Sequence, residues 1–372
     1  MLTRLIPVCT AVVALALGTT GPAHAAVPAP YSDVSAILQR LTTVDGAPGA
    51  LVSISDALGR TTVLTSGEAD RATGAPMTAG GRFRIGSMTK MYVATVVLQL
   101  VAEHEIDLDA PIERYLPGVV RGNGNDGREI TVRELLQHTS GLPDYLTYID
   151  LQSVITDPLT HYSPHELLNL ALAHPPLFAP GTGWSYSNTD YVLAGLLIEA
   201  VTGQPYGEEI ERRIIEPLGL HDTSAPVDEP DIPGSHPQGY AELPNSDVID
   251  VSAFNPSIAY ASGAMISSGA DMNRFLRALL RGGLLPPAEL RAMKATIPIG
   301  DGSGYGLGLQ STPLPCGGRY WGHDGGILGF ETLSGTTPTG RQVTVMVNLN
   351  PGGAAAQDTD MQAAVAAALC EQ

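Results

Sequence analysis

Apolar and polar positions divide the chain into strand-like ends and a helix-like middle. Residues 50–56 and 61–66 read as two strands joined by a turn at Gly59, a β-hairpin signal. From Ser87 to Val101 the chain is apolar on nearly every side, which predicts a helix buried at the protein centre with Ser87 at its mouth. Thr131-Val132-Arg133-Glu134 and Ser163-Pro164-His165-Glu166 have capping-box spacing, the second with Pro at the first helical position, so both mark helix starts. Further helices are expected over 190–201, stopped by Gly203, over 270–280, stopped by Gly282 and Gly283, and over 287–292. Strand patterns return at 305–309, 319–322, 328–333 and 342–348, ahead of an Ala-rich helix over 356–369. Before the first hairpin only a short Pro-containing arm is expected.

This order of strands, helices, strands and helix predicts an α+β fold, with an antiparallel β-sheet assembled from both chain ends, flanked by helices and joined to a mainly helical lobe. A single catalytic domain over 26–372 accommodates it, with a sheet lobe from about 30–85 and 295–372 and a helical lobe over about 86–294. Neither an internal repeat nor a long low-complexity linker interrupts the chain.

Composition narrows the function. Of 372 residues, 44% are hydrophobic and 16% charged, the balance of a folded globular protein. Twenty Lys and Arg against 38 Asp and Glu give a formal charge of -18, which repels a phosphate backbone and acidic lipid; nucleic acid is excluded as a partner. Arg4, the apolar run from Leu5 to Leu17 and Ala23-His24-Ala25 have the layout of a secretory signal peptide over 1–25, so a secreted protein is expected. That run is short of the roughly 20 residues that span a bilayer, and no stable membrane anchor is expected. Cleavage after Ala25 removes Cys9 and leaves Cys316 and Cys370, an even pair that invites a disulfide, two free buried thiols being the alternative. Without a His-x-Glu or Cys-x-x-Cys arrangement, a metal site has little support.

Three short motifs carry chemistry. Ser87-Met88-Thr89-Lys90 places a hydroxyl and an amine on one helix face, where a lysine among apolar neighbours can lose its charge and act as a base. Alone, the serine could equally be a helix cap. Tyr186-Ser187-Asn188 ends a Gly-rich loop and offers a phenol for proton exchange and an amide for a substrate carbonyl, or an ordinary capping turn. His323-Asp324-Gly325-Gly326 lies between two expected strands, where glycine lets a substrate backbone approach, or forms a plain β-turn.

In this order and at these separations, the three motifs resemble the class C β-lactamase-like, penicillin-binding serine hydrolases, and most of all their secreted D-Ala-D-Ala carboxypeptidase/transpeptidase members. Phe83-Arg84-Ile85-Gly86-Ser87, His138-Thr139-Ser140-Gly141-Leu142, Tyr186-Ser187-Asn188-Thr189, Gly304-Tyr305-Gly306-Leu307-Gly308-Leu309 and the cysteine pair strengthen the likeness. The resemblance implies a β-lactamase/transpeptidase-like fold. It also implies an acyl-enzyme on Ser87, with Lys90 as its proton partner, Tyr186 as general base and acid, and Asn188 on the substrate amide. His323 stands where many relatives carry lysine, and the backbone N–H groups of Ser87 and Gly326 form the oxyanion hole. No metal or organic cofactor is required.

Two positions depart from the carboxypeptidase pattern: Gln310 where an Arg is expected and Asp324 where a Thr is expected. Losing a guanidinium removes a carboxylate clamp, and an added Asp repels the same carboxylate. The expected activity is D-Ala-D-Ala carboxypeptidase-like cleavage of D-amino-acid peptides by a monomer, with peptidoglycan stem peptides and β-lactams as partners. D-Aminopeptidase or D-amino acid amidase, esterase and β-lactamase activities stay open, as does a non-catalytic penicillin-binding role.

Overall fold

The computed structural model describes residues 30–371, so the expected signal peptide over 1–25, with Cys9, lies outside the described residues. The first element is α1 (Ser32–Thr43), a helix where only an arm was expected. Its Val34, Ile37, Leu38 and Leu41 recur at helical spacing and are all buried. β1 (Gly49–Ser55) and β2 (Thr61–Asp70) form the expected hairpin, with Ser55 opposite Thr61, and β3 (Ala75–Pro76) follows on its outer edge.

The central helices are α2 (Thr89–Ala102), α3 (Val132–Gln137), α4 (Pro164–Leu172), α5 (Asn188–Thr202), α6 (Gly269–Leu280) and α7 (Pro287–Met293). Both capping boxes form, Thr131 with Glu134 at α3 and Ser163 with Glu166 at α4. Gly203 ends α5 in the left-handed conformation that a glycine adopts without strain. The chain then returns through β4 (Ile297–Gly300), β5 (Ser303–Tyr305), β6 (Gln310–Pro313), β7 (Arg319–Ile327), β8 (Phe330–Thr336) and β9 (Gln342–Val347) to α8 (Gln357–Cys370).

The strands make one antiparallel nine-stranded sheet in the order β4-β5-β6-β7-β8-β9-β1-β2-β3. β9 joins β1, so the two chain ends meet at the sheet centre, as the α+β reading requires. Alternation along β1 sends Ala50, Val52 and Ile54 toward α1 and α8, and Leu51 into the core that contains α2. Cys316, in the turn before β7, is bonded to Cys370 at the end of α8, with Cα atoms 5.8 Å apart.

Two expectations change. Residues 305–309 are not one strand: β5 ends at Tyr305 and a tight turn follows, closed by Gly306 N–H donating to the Leu309 carbonyl at 2.8 Å. A Cβ on Gly306 would lie 2.0 Å from the Met293 carbonyl, so only glycine lets this turn sit against the end of α7. The His323–Gly326 motif is not a turn between strands but part of β7, and the hairpin turn falls at Leu328-Gly329 instead.

Candidate active site

Ser87 lies in a single 3₁₀ turn, Gly86–Met88, that runs straight into α2. This turn rests backbone to backbone on β7. Gly86 has φ 52°, and a Cβ there would lie 2.8 Å from the Gly326 carbonyl oxygen; a Cβ on Gly325 would lie 2.1 Å from the Ile85 oxygen and 3.1 Å from Ser87 N. The two glycines are therefore what lets the strand reach Ser87. The Thr332 hydroxyl spans the junction, 3.1 Å from the Ile85 carbonyl and 2.9 Å from that of Gly325. β6 pairs with β7 only as far as Gly322, which leaves residues 323–327 as an open edge on that side.

Lys90 is completely buried, and its three polar contacts define its chemistry. Nζ lies 2.8 Å from Asn188 Oδ1, 2.7 Å from the Ser262 carbonyl and 3.0 Å from Ser87 Oγ. The first two partners can only accept. A neutral amine gives them its two hydrogens and turns its lone pair toward the Ser87 hydroxyl. Burial lowers the Lys90 pKa to about 7, against the opposing pull of Asp144 and Asp324, so the neutral base is well populated near neutrality. Asp144 fixes the amide orientation by accepting from Asn188 Nδ2 at 2.9 Å.

Tyr186 is half-exposed, yet its hydroxyl is buried and has no hydrogen-bond partner among the described residues. Burial holds the phenol well above its ordinary pKa, Asp324 adding to the effect and the nearby Ser87 hydroxyl partly opposing it. Lys90 Nζ sits 4.8 Å from the Tyr186 ring centroid. Tyr186 is therefore held as a neutral phenol and not as a phenolate.

The other expected residues separate. Ser87, Asn188 and Gly326 line one cavity of about 330 Å³ whose remaining wall is mostly apolar, with Tyr145, Leu151 and Phe254. Gln310 and Asp324 stand together at the open edge, Gln310 Nε2 donating to Asp324 Oδ1 at 2.6 Å; the Asp324 side chain is 61% exposed. His323 points inward: it is 1% exposed, with Nε2 2.8 Å from Tyr305 Oη and Nδ1 2.6 Å from the Asp324 carbonyl. Gly325 is buried beneath the nucleophile turn. Asp144, Ser262, His138, Asp190 and Tyr305 were not singled out by their chemistry. His138 and Tyr305 stand within motifs that carry the family likeness, but contacts between distant segments leave no local pattern. Among the described residues, no grouping of His, Cys, Asp and Glu could hold a metal ion, and no helix is long and apolar enough to cross a membrane.

A serine hydroxyl at a helix mouth, a buried lysine within hydrogen-bond reach of it and a phenol, set against an open strand edge, have the geometry of a serine hydrolase site. The sequence model of the family described as Beta-lactamase matches residues 34–368, and the chain belongs to that family of serine hydrolases. Esterase EstB of Burkholderia gladioli is 34% identical over 308 residues, which cover 71% of this chain and 77% of the esterase. The structure of a D-stereospecific amidohydrolase from Streptomyces sp. superposes with a TM-score of 0.84 at 41% identity, covering 90% of this chain and 98% of that one. A D-amino acid amidase from Ochrobactrum anthropi SV3, solved with L-phenylalanine amide, gives a TM-score of 0.79 at 29% identity, covering 90% and 96%.

Proposed function

We propose that this chain is an exported D-stereospecific amide hydrolase that forms an acyl-enzyme on Ser87 and prefers substrates with a free amino group, such as D-amino acid amides or the N-terminal residue of short D-peptides. The observation that carries this reading is Asp324. It presents an exposed carboxylate at the open edge of β7, held by Gln310, where a carboxypeptidase needs a cation for its substrate's terminal carboxylate. An ammonium is attracted there and a carboxylate repelled. The likeness to a D-stereospecific amidohydrolase supports the same choice.

In the proposed reaction neutral Lys90 takes the Ser87 proton as Oγ attacks the amide carbon. The oxyanion falls to the backbone N–H groups of Ser87 and Gly326. Tyr186 gives its proton to the leaving nitrogen and takes one back from protonated Lys90, which returns to the neutral amine; water then releases the acyl group. An ester with the same acyl group passes through the same intermediate, which supports a secondary esterase activity in view of EstB. Export rests on the N-terminal layout over 1–25 and on the disulfide, and is tested by sequencing the N-terminus of protein recovered from culture medium, with Ala26 expected first.

The substrate reading is tested by turnover of a D-amino acid amide, its L enantiomer, its N-acetyl derivative, N-acyl-D-Ala-D-Ala, a p-nitrophenyl ester and a chromogenic cephalosporin. The free-amine D-amide should lead, with N-acetylation costing about tenfold through KM, the scale of one charge-assisted hydrogen bond. Asp324→Asn should abolish most of that difference. Dominant cleavage of N-acyl-D-Ala-D-Ala would return the enzyme to the carboxypeptidases.

A further inference from the structure

Behind the nucleophile, side chains that the acyl transfer does not touch form a continuous hydrogen-bonded row. Asp190 Oδ2 lies 2.9 Å from His138 Nδ1, His138 Nε2 lies 3.2 Å from Tyr305 Oη, and Tyr305 Oη lies 2.8 Å from His323 Nε2. At one end His323 Nδ1 faces the Asp324 carbonyl at 2.6 Å; at the other, the Ser140 hydroxyl donates to Asp190 Oδ1 at 2.5 Å. Asp190, His138, Tyr305 and His323 are all buried to within 1%.

Hydrogens along the row can be counted from either end. The Asp324 carbonyl can only accept, so His323 carries its hydrogen on Nδ1 and, as a neutral ring, accepts on Nε2 from Tyr305. Tyr305, having given its one hydrogen, accepts from His138, whose hydrogen is therefore on Nε2. From the opposite end, the Ser187 backbone N–H donates to His138 Nδ1 at 3.3 Å and independently makes that nitrogen an acceptor. The contact between Asp190 and that nitrogen then needs a hydrogen on the carboxyl. Electrostatics agree: burial pushes the Asp190 carboxyl well above the usual carboxylate range and holds both imidazoles below theirs, Lys90 reinforcing the effect on the rings.

We propose that Asp190 is kept as a neutral carboxylic acid and that Asp190, His138 and Tyr305 are positioning residues that relay its proton to His323, charging the histidine from within the protein. Three hydrogens each move one step: from Asp190 Oδ2 to His138 Nδ1, from His138 Nε2 to Tyr305 Oη, and from Tyr305 Oη to His323 Nε2. No heavy-atom bond changes. His138 and Tyr305 end neutral, Asp190 ends as a carboxylate, and His323 ends as an imidazolium with Asp324 Oδ1 3.4 Å from its Nδ1.

The groups facing the row decide when it can shift. Asp324 favours the imidazolium, whereas Lys90 of α2 opposes it when cationic; Asp144 and Lys90 act on Asp190 in opposite senses, and Tyr186 and Tyr191 flank the rings without charge. The shift therefore belongs to states with neutral Lys90, including the acyl-enzyme once the leaving nitrogen has carried its proton away. That timing rests on the acyl-transfer reading; the proton on Asp190 does not.

The test keeps the two apart. At neutral pH the infrared difference between wild type and Asp190→Asn should contain the carbonyl stretch of a protonated carboxylic acid, and its absence would overturn the assignment whatever the enzyme hydrolyses. Asn can donate to His138 and accept from Ser140 as the acid does, so Asp190→Asn should melt within a few degrees of wild type; a collapse in Tm would indicate an ionised Asp190 and sink the proposal. Tyr305→Phe, confirmed folded by circular dichroism, should lower kcat about tenfold with little change in KM. Its kcat relative to wild type should fall further as pH rises from mildly acidic to mildly alkaline, because His323 must then draw its proton from solvent. A ratio that stays constant with pH means a merely structural row and overturns the relay.

Discussion

On one face of the sheet Val343, Val345 and Val347 of β9 and Ala50, Val52 and Ile54 of β1 meet α1 and α8 in an apolar layer closed by the Cys316–Cys370 bond. On the other face the same strands turn Thr344 and Ser53 toward Asn273 of α6, and beyond it the core around α2 and α5 buries Lys90, His138, Asp190, Tyr305 and His323. The first face draws its stability from area, at roughly 1.5–3 kcal/mol for each large side chain fully buried. The second buries groups that are costly to desolvate and tolerates them because nearly every donor there finds an acceptor. One face holds the fold; the other holds the chemistry at some expense to the fold.

Substitutions on the two faces should therefore separate activity from stability. Ser87→Ala should lower turnover of the best substrate of the panel by more than about a thousandfold and abolish any covalent labelling by a fluorescent penicillin. Its Tm should stay near wild type, because the half-exposed Ser87 side chain is hydrogen-bonded to Lys90 alone. Residual Ser87-independent turnover at the wild-type rate would remove the nucleophile from the account. Cys316→Ser should do the reverse. Opening a bond that spans 54 residues should cost about 4 kcal/mol in denaturant unfolding on the loop-entropy model, with kcat/KM unchanged below the transition.

The same contrast explains what could be read before the fold was known. Capping boxes at Thr131 and Ser163, the Gly59 hairpin and the apolar run of α2 are local patterns, and each falls where it was expected. Ser87 and Lys90 were legible because one helical turn joins them. α1 was overlooked because four apolar positions in a short segment make a weak signal beside the preceding Pro-rich stretch. The His323–Gly326 segment looked like a turn because its glycines suit turns; in the fold they serve a strand pressed against the nucleophile. Asp144 could not be found at all, since its role exists only once residues 44 positions apart meet.

The acid limb of activity should come from Lys90. With a folded pKa of about 7, kcat/KM for an uncharged ester should rise about tenfold per pH unit below that value and level off above it. Stability should follow the same group in the same direction. The unfolded lysine holds its proton up to the ordinary value of 10.5 and the native one does not, so the cost of burying Lys90 is full below about pH 7 and fades as pH rises toward 10.5.

Asp144 allows the smallest and most specific adjustment. Its carboxylate raises the Lys90 pKa, opposing burial, while accepting from the amide that holds Lys90. Asp144→Asn keeps an acceptor for Asn188 Nδ2 but removes the charge. The acid limb should then move to lower pH by less than about one unit, the size of a single partly solvated charge interaction, with kcat on the plateau nearly unchanged. A limb that moves upward, or stays fixed while the plateau collapses, would show that Asp144 acts by aligning Asn188 and that Lys90 is not the group whose ionisation sets the rate.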